Sequence, residues 1–263
     1  MAKPINLIDA SKCIGCRGCQ VACKQWNQLP ATETTFNGSY ENPPRLSPTT
    51  WMRIKFREHE NENGGVDWLM AKQGCMHCSD AACMLACPAG AIYRTEFDTV
   101  KVDEVKCIGC NYCAGVCPFQ VIGFDRLANK ARKCTFCLDR LEAGLKPACA
   151  TACPTGSITF GESRELIARA SRRVDQLVAA GKTNATLYGL DEVGGAAMLY
   201  VLADKPEKYG FPADPQVPLQ TRIWNTVWAP LRVFVVVAVA LGLWANRNQS
   251  KKVEEAKARS KSK

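Results

Sequence analysis

Sixteen cysteines, grouped in four short motifs with none outside them, constrain this 263-residue chain more than any other feature. The first motif has the spacing C-x2-C-x2-C-x3-C, and the third repeats it. The second widens one interval to four residues, the fourth widens one to eleven, and the last three motifs end in Cys-Pro. Four copies of one spacing rule predict internal repetition. The motifs are Cys13, Cys16, Cys19 and Cys23; Cys75, Cys78, Cys83 and Cys87; Cys107, Cys110, Cys113 and Cys117; and Cys134, Cys137, Cys149 and Cys153.

The run C-x2-C-x2-C-x3-C-P is the ligand pattern of bacterial [4Fe–4S] ferredoxins, in which three thiolates hold one cluster and the fourth reaches a second. Small residues between the ligands help the loop wrap a cluster, because glycine permits unusual backbone angles and close approach. Proline after the last cysteine ends the helical turn that carries it. Sixteen thiolates, at four per cluster, predict four [4Fe–4S] clusters and electron transfer. The small residues are Gly15, Gly18, Gly109, Ala114 and Gly115.

Zinc and disulfides are the alternative uses of these cysteines. Structural zinc sites use two separated C-x2-C pairs rather than three ligands at x2 spacing followed by x3-C-P. Disulfide scaffolds are usually short chains that cannot build a sufficient core. This chain is 47% hydrophobic, which is enough for a core without such cross-links. The spacing therefore favours iron–sulfur clusters over both alternatives.

The distances between motifs predict how they pair. The short gap between motifs two and three contains two strand-like pieces, 91–94 and 99–102, as in a two-cluster ferredoxin. Motifs one and four then form an outer module around this inner one. A sequential pairing, one with two and three with four, remains the alternative. Exchange of fourth cysteines within the nested modules predicts set A (Cys13, Cys16, Cys19, Cys153), set B (Cys134, Cys137, Cys149, Cys23), set C (Cys75, Cys78, Cys83, Cys117) and set D (Cys107, Cys110, Cys113, Cys87).

The predicted fold class is α+β, with two nested ferredoxin-like two-cluster modules followed by a single C-terminal transmembrane helix. Residues 51–57 alternate apolar and basic residues and predict a half-exposed strand, which forms a hairpin with a second strand predicted at 66–71. Ser163 is a predicted cap for a helix over 164–180. The predicted segments are a four-cluster domain at 1–160 (outer module about 1–60 and 125–160, inner module about 70–124), a packing helix and strand at 161–203, a Pro-rich linker at 204–221, a transmembrane helix at 222–246 and a basic cytoplasmic tail at 247–263.

The C-terminal apolar segment predicts the membrane span. As a helix, residues 223–245 would extend about 34 Å, enough for a bilayer core of about 30 Å. Trp224, Trp228 and Trp244 lie near its ends, as in an aromatic belt. Pro230 and Arg232 interrupt the apolar run, and snorkelling of the arginine is favoured over a functional role beside a partner's cofactor. A buried helix of a soluble protein is the alternative.

The charge that follows the span predicts its orientation. Residues 247–263 carry seven Lys or Arg and two Glu, so the positive-inside rule puts this tail in the cytoplasm. The cluster domain would then lie on the outer, periplasmic face of the cell membrane, on a single-pass anchor. Residues 1–11 have no apolar signal-peptide core, which predicts export bound to a partner that carries a signal. Cytoplasmic clusters with the tail outside would violate the charge rule.

The net charge of +9 does not require a nucleic-acid partner. An oxidised cluster with four thiolates carries about −2, so four clusters would offset most of the surplus. Basic residues next to the motifs are expected to balance this charge and to influence reduction potentials. The alternative class is a metal-stapled structural or nucleic-acid-binding module. The flanking basic residues are Lys12, Arg17, Lys24, Lys106, Arg132 and Lys133.

Three segments resemble the iron–sulfur beta subunit of formate dehydrogenases: CRGCQVACKQWN at 16–27, CMHCSDAAC at 75–83 and GLKPACATACPTG at 144–156. The segment VGGAAMLYVL at 193–202 and the terminal anchor resemble the membrane-bound branch used in anaerobic respiration. The resemblance implies a catalytic alpha subunit that holds a Mo or W pterin and carries the export signal. It also implies a cytochrome b gamma subunit that passes electrons to quinone. The family's nested cluster pairing agrees with sets A to D.

The cysteine motifs alone would also fit the equivalent subunit of a nickel–iron hydrogenase or another molybdopterin oxidoreductase. The chain has two histidines, His59 and His77, and no identifiable nucleophile–base arrangement. The prediction is therefore a non-catalytic electron-transfer subunit of an oxidoreductase complex. His77 lies between two ligands of motif two and is expected to donate a hydrogen bond near a cluster rather than to bind iron.

Overall fold

A computed structural model of the chain describes residues 3–61, 64–224 and 229–261. The chain divides into two compact units, Met1–Val217 and Pro218–Lys263. The strands are β1 (Pro4–Asp9), β2 (Met52–Glu60), β3 (Val66–Gly74), β4 (Ile92–Arg94), β5 (Val100–Val102), β6 (Gly123–Asp125), β7 (Lys130–Arg132), β8 (Ile158–Glu162), β9 (Thr186–Tyr188) and β10 (Met198–Leu202). The helices are α1 (Gly18–Trp26), α2 (Ala82–Leu85), α3 (Tyr112–Val116), α4 (Leu138–Glu142), α5 (Ala148–Thr151), α6 (Ser163–Ala179), α7 (Leu219–Ile223) and α8 (Ala229–Lys261).

A four-stranded sheet in the order β8–β1–β10–β9 forms the centre of the first unit. Strand β1 pairs in parallel with β10, with Asn6 opposite Met198, and antiparallel with β8. All five residues of β10 are buried, as is every residue of β1 after Pro4. Helix α6 contributes Leu166 and Ala170 to the same core. The first and last strands of the unit therefore hold its ends together.

The hairpin predicted for residues 51–71 is confirmed. Strands β2 and β3 pair antiparallel from Met52 opposite Gly74 to Glu60 opposite Val66. The expected half-exposed alternation is wrong for the first part of β2, where four successive residues are buried. Both faces are covered there. Met52 and Ile54 lie on one face, in the hydrophobic core. On the other face, Lys55 Nζ donates to the Gly210 carbonyl at 2.7 Å and the Arg53 guanidinium pairs with Glu41 at 2.6 Å.

Short hairpins follow two of the Cys-Pro corners. The strand-like pieces predicted at 91–94 and 99–102 are confirmed as β4 and β5, which pair antiparallel. Strands β6 and β7 form the equivalent hairpin after the third motif. After the fourth motif, β8 joins the central sheet instead. The repeated sequence thus gives a repeated local structure, with one copy recruited into the core.

Two boundaries differ from the sequence predictions. Ser163 is the first residue of α6, and the preceding Glu162 occupies the cap position with extended backbone and no side-chain cap bond. Of the linker predicted at 204–221, residues 204–217 belong to the first unit, with Tyr209 and Phe211 in its core. The Phe211 ring lies 5.0 Å from that of Tyr200. Aromatic burial outweighs the local signal of the prolines in this segment.

Replacing Gly123 with alanine is expected to destabilise the first unit by about 1–3 kcal/mol, because overpacking costs that much. A Cβ at Gly123 would meet the backbone of Ser47 and Pro48, which cannot rotate away. Gly161→Ala is the matched control, since Gly161 is also a strand glycine and its Cβ would lie 3.5 Å from Leu166 Cδ1. Thermal unfolding of the two variants measures the difference. Equal midpoints would contradict the close approach at Gly123.

The second unit contains α7 and α8. Pro230 lies in the first turn of α8, where proline removes no hydrogen bond that the helix needs. Trp228 and the side chain of Arg232 lie outside the described residues. In the part of the chain that is described, no helix is both long enough and apolar enough to cross a membrane, so the span predicted at 222–246 is not supported. The large exposed apolar side chains of α8 are Leu231, Val233, Phe234, Val235, Val236, Val237, Val239, Leu241, Leu243 and Trp244.

Candidate iron–sulfur sites

All four cysteine motifs fold as the same loop followed by a helical turn. The residue before the second cysteine has a left-handed backbone in each motif: φ is 66° at Gly15, 51° at His77, 76° at Gly109 and 60° at Phe136. The third cysteine of each motif then lies in α1, α2, α3 or α5. This reversal turns successive cysteines towards one point. The expected use of glycine is confirmed at two positions, whereas His77 and Phe136 adopt a conformation that costs a non-glycine residue energy.

The proline after the fourth cysteine controls the length of the helical turn. Helices α2, α3 and α5 end before the Cys-Pro dipeptides. In the first motif Lys24 replaces the proline, and α1 continues to Trp26. The Lys24 ammonium donates to the Thr49 carbonyl at 2.8 Å. The departure of motif one from the repeat therefore extends the helix and ties it to a neighbouring loop.

The four cysteines of set A line one cavity. Three of them come from motif one, and Cys153 comes from the far end of motif four. Apolar side chains including Ile8 and Ile54 complete the walls. The Cys153 sulfur accepts a hydrogen bond from the Ile158 amide at 3.4 Å. The fold thus brings Cys153 to three thiols from which it is separated by more than half of the chain.

The four cysteines of set C line a second cavity in the same way. Here Cys117 of motif three joins three cysteines of motif two. Phe119 and Val121, from the turn after motif three, form part of the wall. The exchange of the fourth cysteine is reciprocal, since Cys87 of motif two lies with the cysteines of motif three. The Cys87 sulfur accepts a hydrogen bond from the Ala91 amide at 3.2 Å.

In sets B and D the thiols lie close enough to raise one another's pKa values. In set D, burial and then the nearby Cys110, Cys107 and Cys87 raise the pKa of the Cys113 thiol to about 11. In set B, burial raises the pKa of Cys23 well above its usual range. The three remaining members of set B add to that shift: Cys134, Cys149 and Cys137. Each of these sets therefore also combines three thiols of one motif with one of another.

Neighbouring sets adjoin one another in a definite order. Burial and then Cys149 of set B raise the pKa of Cys19, in set A, to about 12. Burial raises the pKa of Cys134, in set B, to about 11, and Cys75 of set C adds to the increase. Cysteines of sets C and D pack together in a separate apolar cluster. The order along the molecule is A, B, C, D.

The sets at the two ends of this order reach the surface. Cys16, in set A, and Cys110, in set D, are exposed, whereas the other cysteines are buried or half-buried. An exposed apolar side chain precedes each of these cysteines by two residues, Ile14 before Cys16 and Ile108 before Cys110, and each is 61% exposed. Each end set therefore has one exposed ligand, whereas every ligand of the interior sets B and C is buried or half-buried.

The donor chemistry of the sets fits [4Fe–4S] clusters. Every set offers four thiols, and backbone amides already donate to several of the sulfurs, as in the Phe136 amide to Cys134 Sγ contact of 3.4 Å. Hydrogen bonds to sulfur and exclusion of solvent are two of the properties that tune such clusters. Within the described ranges, no group of three or more His, Cys, Asp or Glu side chains is arranged to hold a single metal ion.

His77 is buried beside set C and lines its cavity. Its Nδ1 accepts a hydrogen bond from the Val100 amide at 3.1 Å, and its ring meets Phe136 edge-on at 5.0 Å. Burial, followed by the charges of Lys133 and Lys72, holds the pKa of His77 well below its usual value. The neutral ring therefore carries its proton on Nε2, which has no hydrogen-bond partner among the described residues.

Two lysines are buried among the cysteines. Lys133 was expected from the sequence to flank a motif, but Lys72, on β3, carried no signal that distinguishes it from Lys55 on β2. Lys72 and Lys133 are each 2% exposed. Burial lowers the pKa of Lys133, but the surrounding thiols, Cys75 first, raise it more, so the pKa lies above its usual value. Both side chains bring positive charge into the region that the cysteines occupy.

Comparison with known families agrees with this arrangement. Two family profiles, both described as 4Fe–4S dicluster domain, match residues 66–163 and 12–91. The matched ranges overlap and together include all sixteen cysteines. The fold and the sites thus define an iron–sulfur protein of the 4Fe–4S dicluster class, with mixed helices and strands.

Similar proteins make the class more specific. The chain is 42% identical over 246 residues to the iron–sulfur subunit of the nitrate-inducible formate dehydrogenase of Escherichia coli. That alignment covers 92% of this chain and 83% of the Escherichia coli subunit. It is 44% identical over 242 residues to the formate dehydrogenase iron–sulfur subunit of Haemophilus influenzae, an alignment that covers 90% of this chain and 76% of that subunit. It is 35% identical over 215 residues to formate dehydrogenase 2 subunit beta (cytochrome c-553) of Nitratidesulfovibrio vulgaris, an alignment that covers 77% of this chain and 94% of that subunit. The chain belongs to the family of formate dehydrogenase iron–sulfur subunits, and the resemblance stated from its motifs is confirmed.

Proposed function

We propose that this chain carries four [4Fe–4S] clusters, one in each of sets A to D, and relays electrons within a formate dehydrogenase complex. The observation that carries this proposal is the exchange of cysteines between motifs: the cavities of sets A and C are each lined by three cysteines of one motif and the fourth of another. That exchange is the ligand pattern of two-cluster ferredoxins. It also favours nested modules over sequential pairing.

A [4Fe–4S] cluster, when bound, supplies a site that accepts and releases one electron at a time. The protein's own residues do the remaining work. The thiols of each set bind iron as thiolates, and their burial keeps water from the sites. Backbone amides beside Cys87, Cys134 and Cys153 donate hydrogen bonds to sulfur, which stabilises added negative charge. The Nε2–H of His77 is available for the same purpose in set C.

The order A, B, C, D defines the relay. Electrons enter at one end set and leave at the other, because Cys16 and Cys110 are the exposed ligands. The apolar rim at each end, with Ile14 and Ile108, provides a surface from which a docking subunit can exclude water. Sets B and C pass electrons through the interior of the molecule.

The partners follow from the family and from the two exposed ends. One end set receives electrons from a catalytic subunit that holds a Mo or W pterin and oxidises formate. The other end set passes them to a membrane cytochrome b subunit, which reduces quinone. The relatives' names supply formate dehydrogenase as the complex, and one of them names cytochrome c-553.

The exposed apolar side chains of α8 support a membrane location for the complex. Val233, Phe234 and Trp244 are each more than 60% exposed within the chain. A contiguous run of exposed apolar side chains marks a surface that a partner or a lipid phase covers. We infer that α8 is covered by the membrane and the cytochrome subunit, with the basic tail cytoplasmic and the cluster sets on the outer face.

The metal content tests the four-cluster proposal. Four clusters predict about sixteen iron atoms and as many sulfides per chain, and a brown colour that a strong reductant bleaches. Metal analysis and visible spectra of the purified complex, corrected for iron in the other subunits, provide the measurement. Zinc in place of iron, with no bleaching, would overturn the proposal. Iron sufficient for only two clusters would restrict it to one module.

A further inference from the structure

The side chain of Lys72 is buried where a cation is normally excluded. It lies on β3, is 2% exposed and lines the cavity of set A beside Cys19. Within the residues that the structure describes, its Nζ donates only to the Met198 sulfur, at 3.7 Å, and pairs with no carboxylate. A buried ammonium without a carboxylate partner is costly unless other negative charge surrounds it.

Cysteines around Lys72 supply that negative charge once they bind iron as thiolates. They belong to two sets, with Cys149 and Cys134 from set B and Cys19 from set A, and the Tyr200 hydroxyl also lies beside the ammonium. Burial lowers the pKa of Lys72, but these groups raise it more, so it lies above its usual value. The ammonium therefore lies at the boundary between sets A and B.

Lys133 occupies the next boundary, between sets B and C. Its Nζ donates to Cys75 Sγ of set C at 3.5 Å and to the carbonyl of Cys134, a set B residue, at 3.2 Å. A third bond goes to the Val100 carbonyl. All three N–H bonds of an ammonium are thus used, as the charged form requires. The side chain also lines the cavity of set C.

We propose that Lys72 and Lys133 set the reduction potentials of the sites on either side of them, Lys72 for sets A and B and Lys133 for sets B and C. This inference rests on the four cluster sets proposed above. Reduction adds one electron to a site and forms no bond to lysine. A fixed cation in a low-dielectric interior stabilises that added negative charge and raises the potential. Set B, which adjoins both lysines, receives both effects.

Replacement of each lysine by methionine tests the inference, because methionine is similar in length and carries no charge. The measurement is potentiometric titration of the purified complex followed by electron paramagnetic resonance. In Lys72→Met we expect two of the four signals to move to lower potential, each by at least a tenfold change in the one-electron equilibrium, or about 59 mV. In Lys133→Met two signals should also move. One signal should be common to both variants.

Two other lysines serve as controls. Lys55 is also buried and lies on the same hairpin, but its ammonium donates to the Gly210 carbonyl, and the charges that act on it are Arg57, Arg53 and Glu41. Lys106 precedes Cys107 as Lys133 precedes Cys134, but its side chain is 66% exposed and pairs with Asp103. Methionine at either control position should shift each of the four reduction potentials by less than about 59 mV. Lys72→Arg, which keeps the charge, should restore the wild-type potentials.

The possible outcomes separate the inference from the proposed function. Unchanged potentials in Lys72→Met and Lys133→Met, with full iron content, would overturn the role of the lysines and leave the four clusters intact. Equal shifts in the control variants would overturn it as well. Missing iron in the wild-type chain would overturn the proposed function itself. If Lys72→Met assembles with less iron, Lys133→Met decides the matter by whether its two signals move.

Discussion

Replacing Cys149 with alanine is expected to stop electron transfer between the two ends of the subunit. Cys149 lies in set B, an interior set, and adjoins set A through Cys19. Removing a residue that only supports a metal ligand lowers activity by about 10–100-fold. Removing a ligand itself should therefore lower the rate of electron transfer by more than about 100-fold. Formate-dependent reduction of quinone by the complex measures the effect. Iron content should fall by up to about four atoms of about sixteen.

Two observations control this experiment. Reduction of a small dye, which can take electrons near the catalytic subunit, should persist in Cys149→Ala. Thr151→Ser, a conservative change at an exposed position of the same helix α5, should leave both activities and the iron content unchanged. Quinone reduction at the wild-type rate in Cys149→Ala would contradict the placement of set B within the relay.

Deleting residues 223–263 is expected to release the subunit and its catalytic partner from the membrane. Among its described residues, the segment carries twelve large apolar side chains that are exposed in the isolated chain. Burial of each such side chain contributes about 1.5–3 kcal/mol, so their removal should abolish the association rather than weaken it. Cell fractionation with an assay of dye-linked formate oxidation measures where the complex lies. The dye activity should survive, because all sixteen cysteines precede the deletion.

A shorter deletion separates the helix from the basic tail. Removing only residues 247–263 takes away seven positive charges and leaves the apolar part of α8. This variant should remain in the membrane fraction. If the longer deletion also remained there, α8 would not be the anchor, and the apolar ends near Ile14 and Ile108 would have to provide the attachment.

The sequence predicted the local features of the sites because they depend on short-range spacing. The helical turn of each motif and the two strands after the second motif follow from a few consecutive residues, and the Cys-Pro corners mark where the turns end. The left-handed backbone at Gly15 and Gly109 could be expected from glycine. At His77 and Phe136 the same conformation is imposed by the surrounding structure, which residue type alone does not reveal.

Long-range packing accounts for what the sequence did not reveal. Strand β1 was not predicted, since its role depends on β8 and β10 lying on either side. Residues 204–217 read as linker because prolines dominate their local pattern, yet Tyr209 fills the core. Lys72 and Lys55 have the same sequence signals on adjacent strands, and only the fold directs Lys72 towards the cysteines.

The parallel pairing of β1 with β10 has a consequence for biogenesis. A ribosome releases the first cysteine motif long before it makes Cys153 or the strand that holds β1 in place. Sets C and D need only residues up to Cys117, so their ligands are complete while translation continues. Sets A and B must wait until the fourth motif emerges. The thiols of the first motif are thus made first and completed last, and they need protection from oxidation for the longest time.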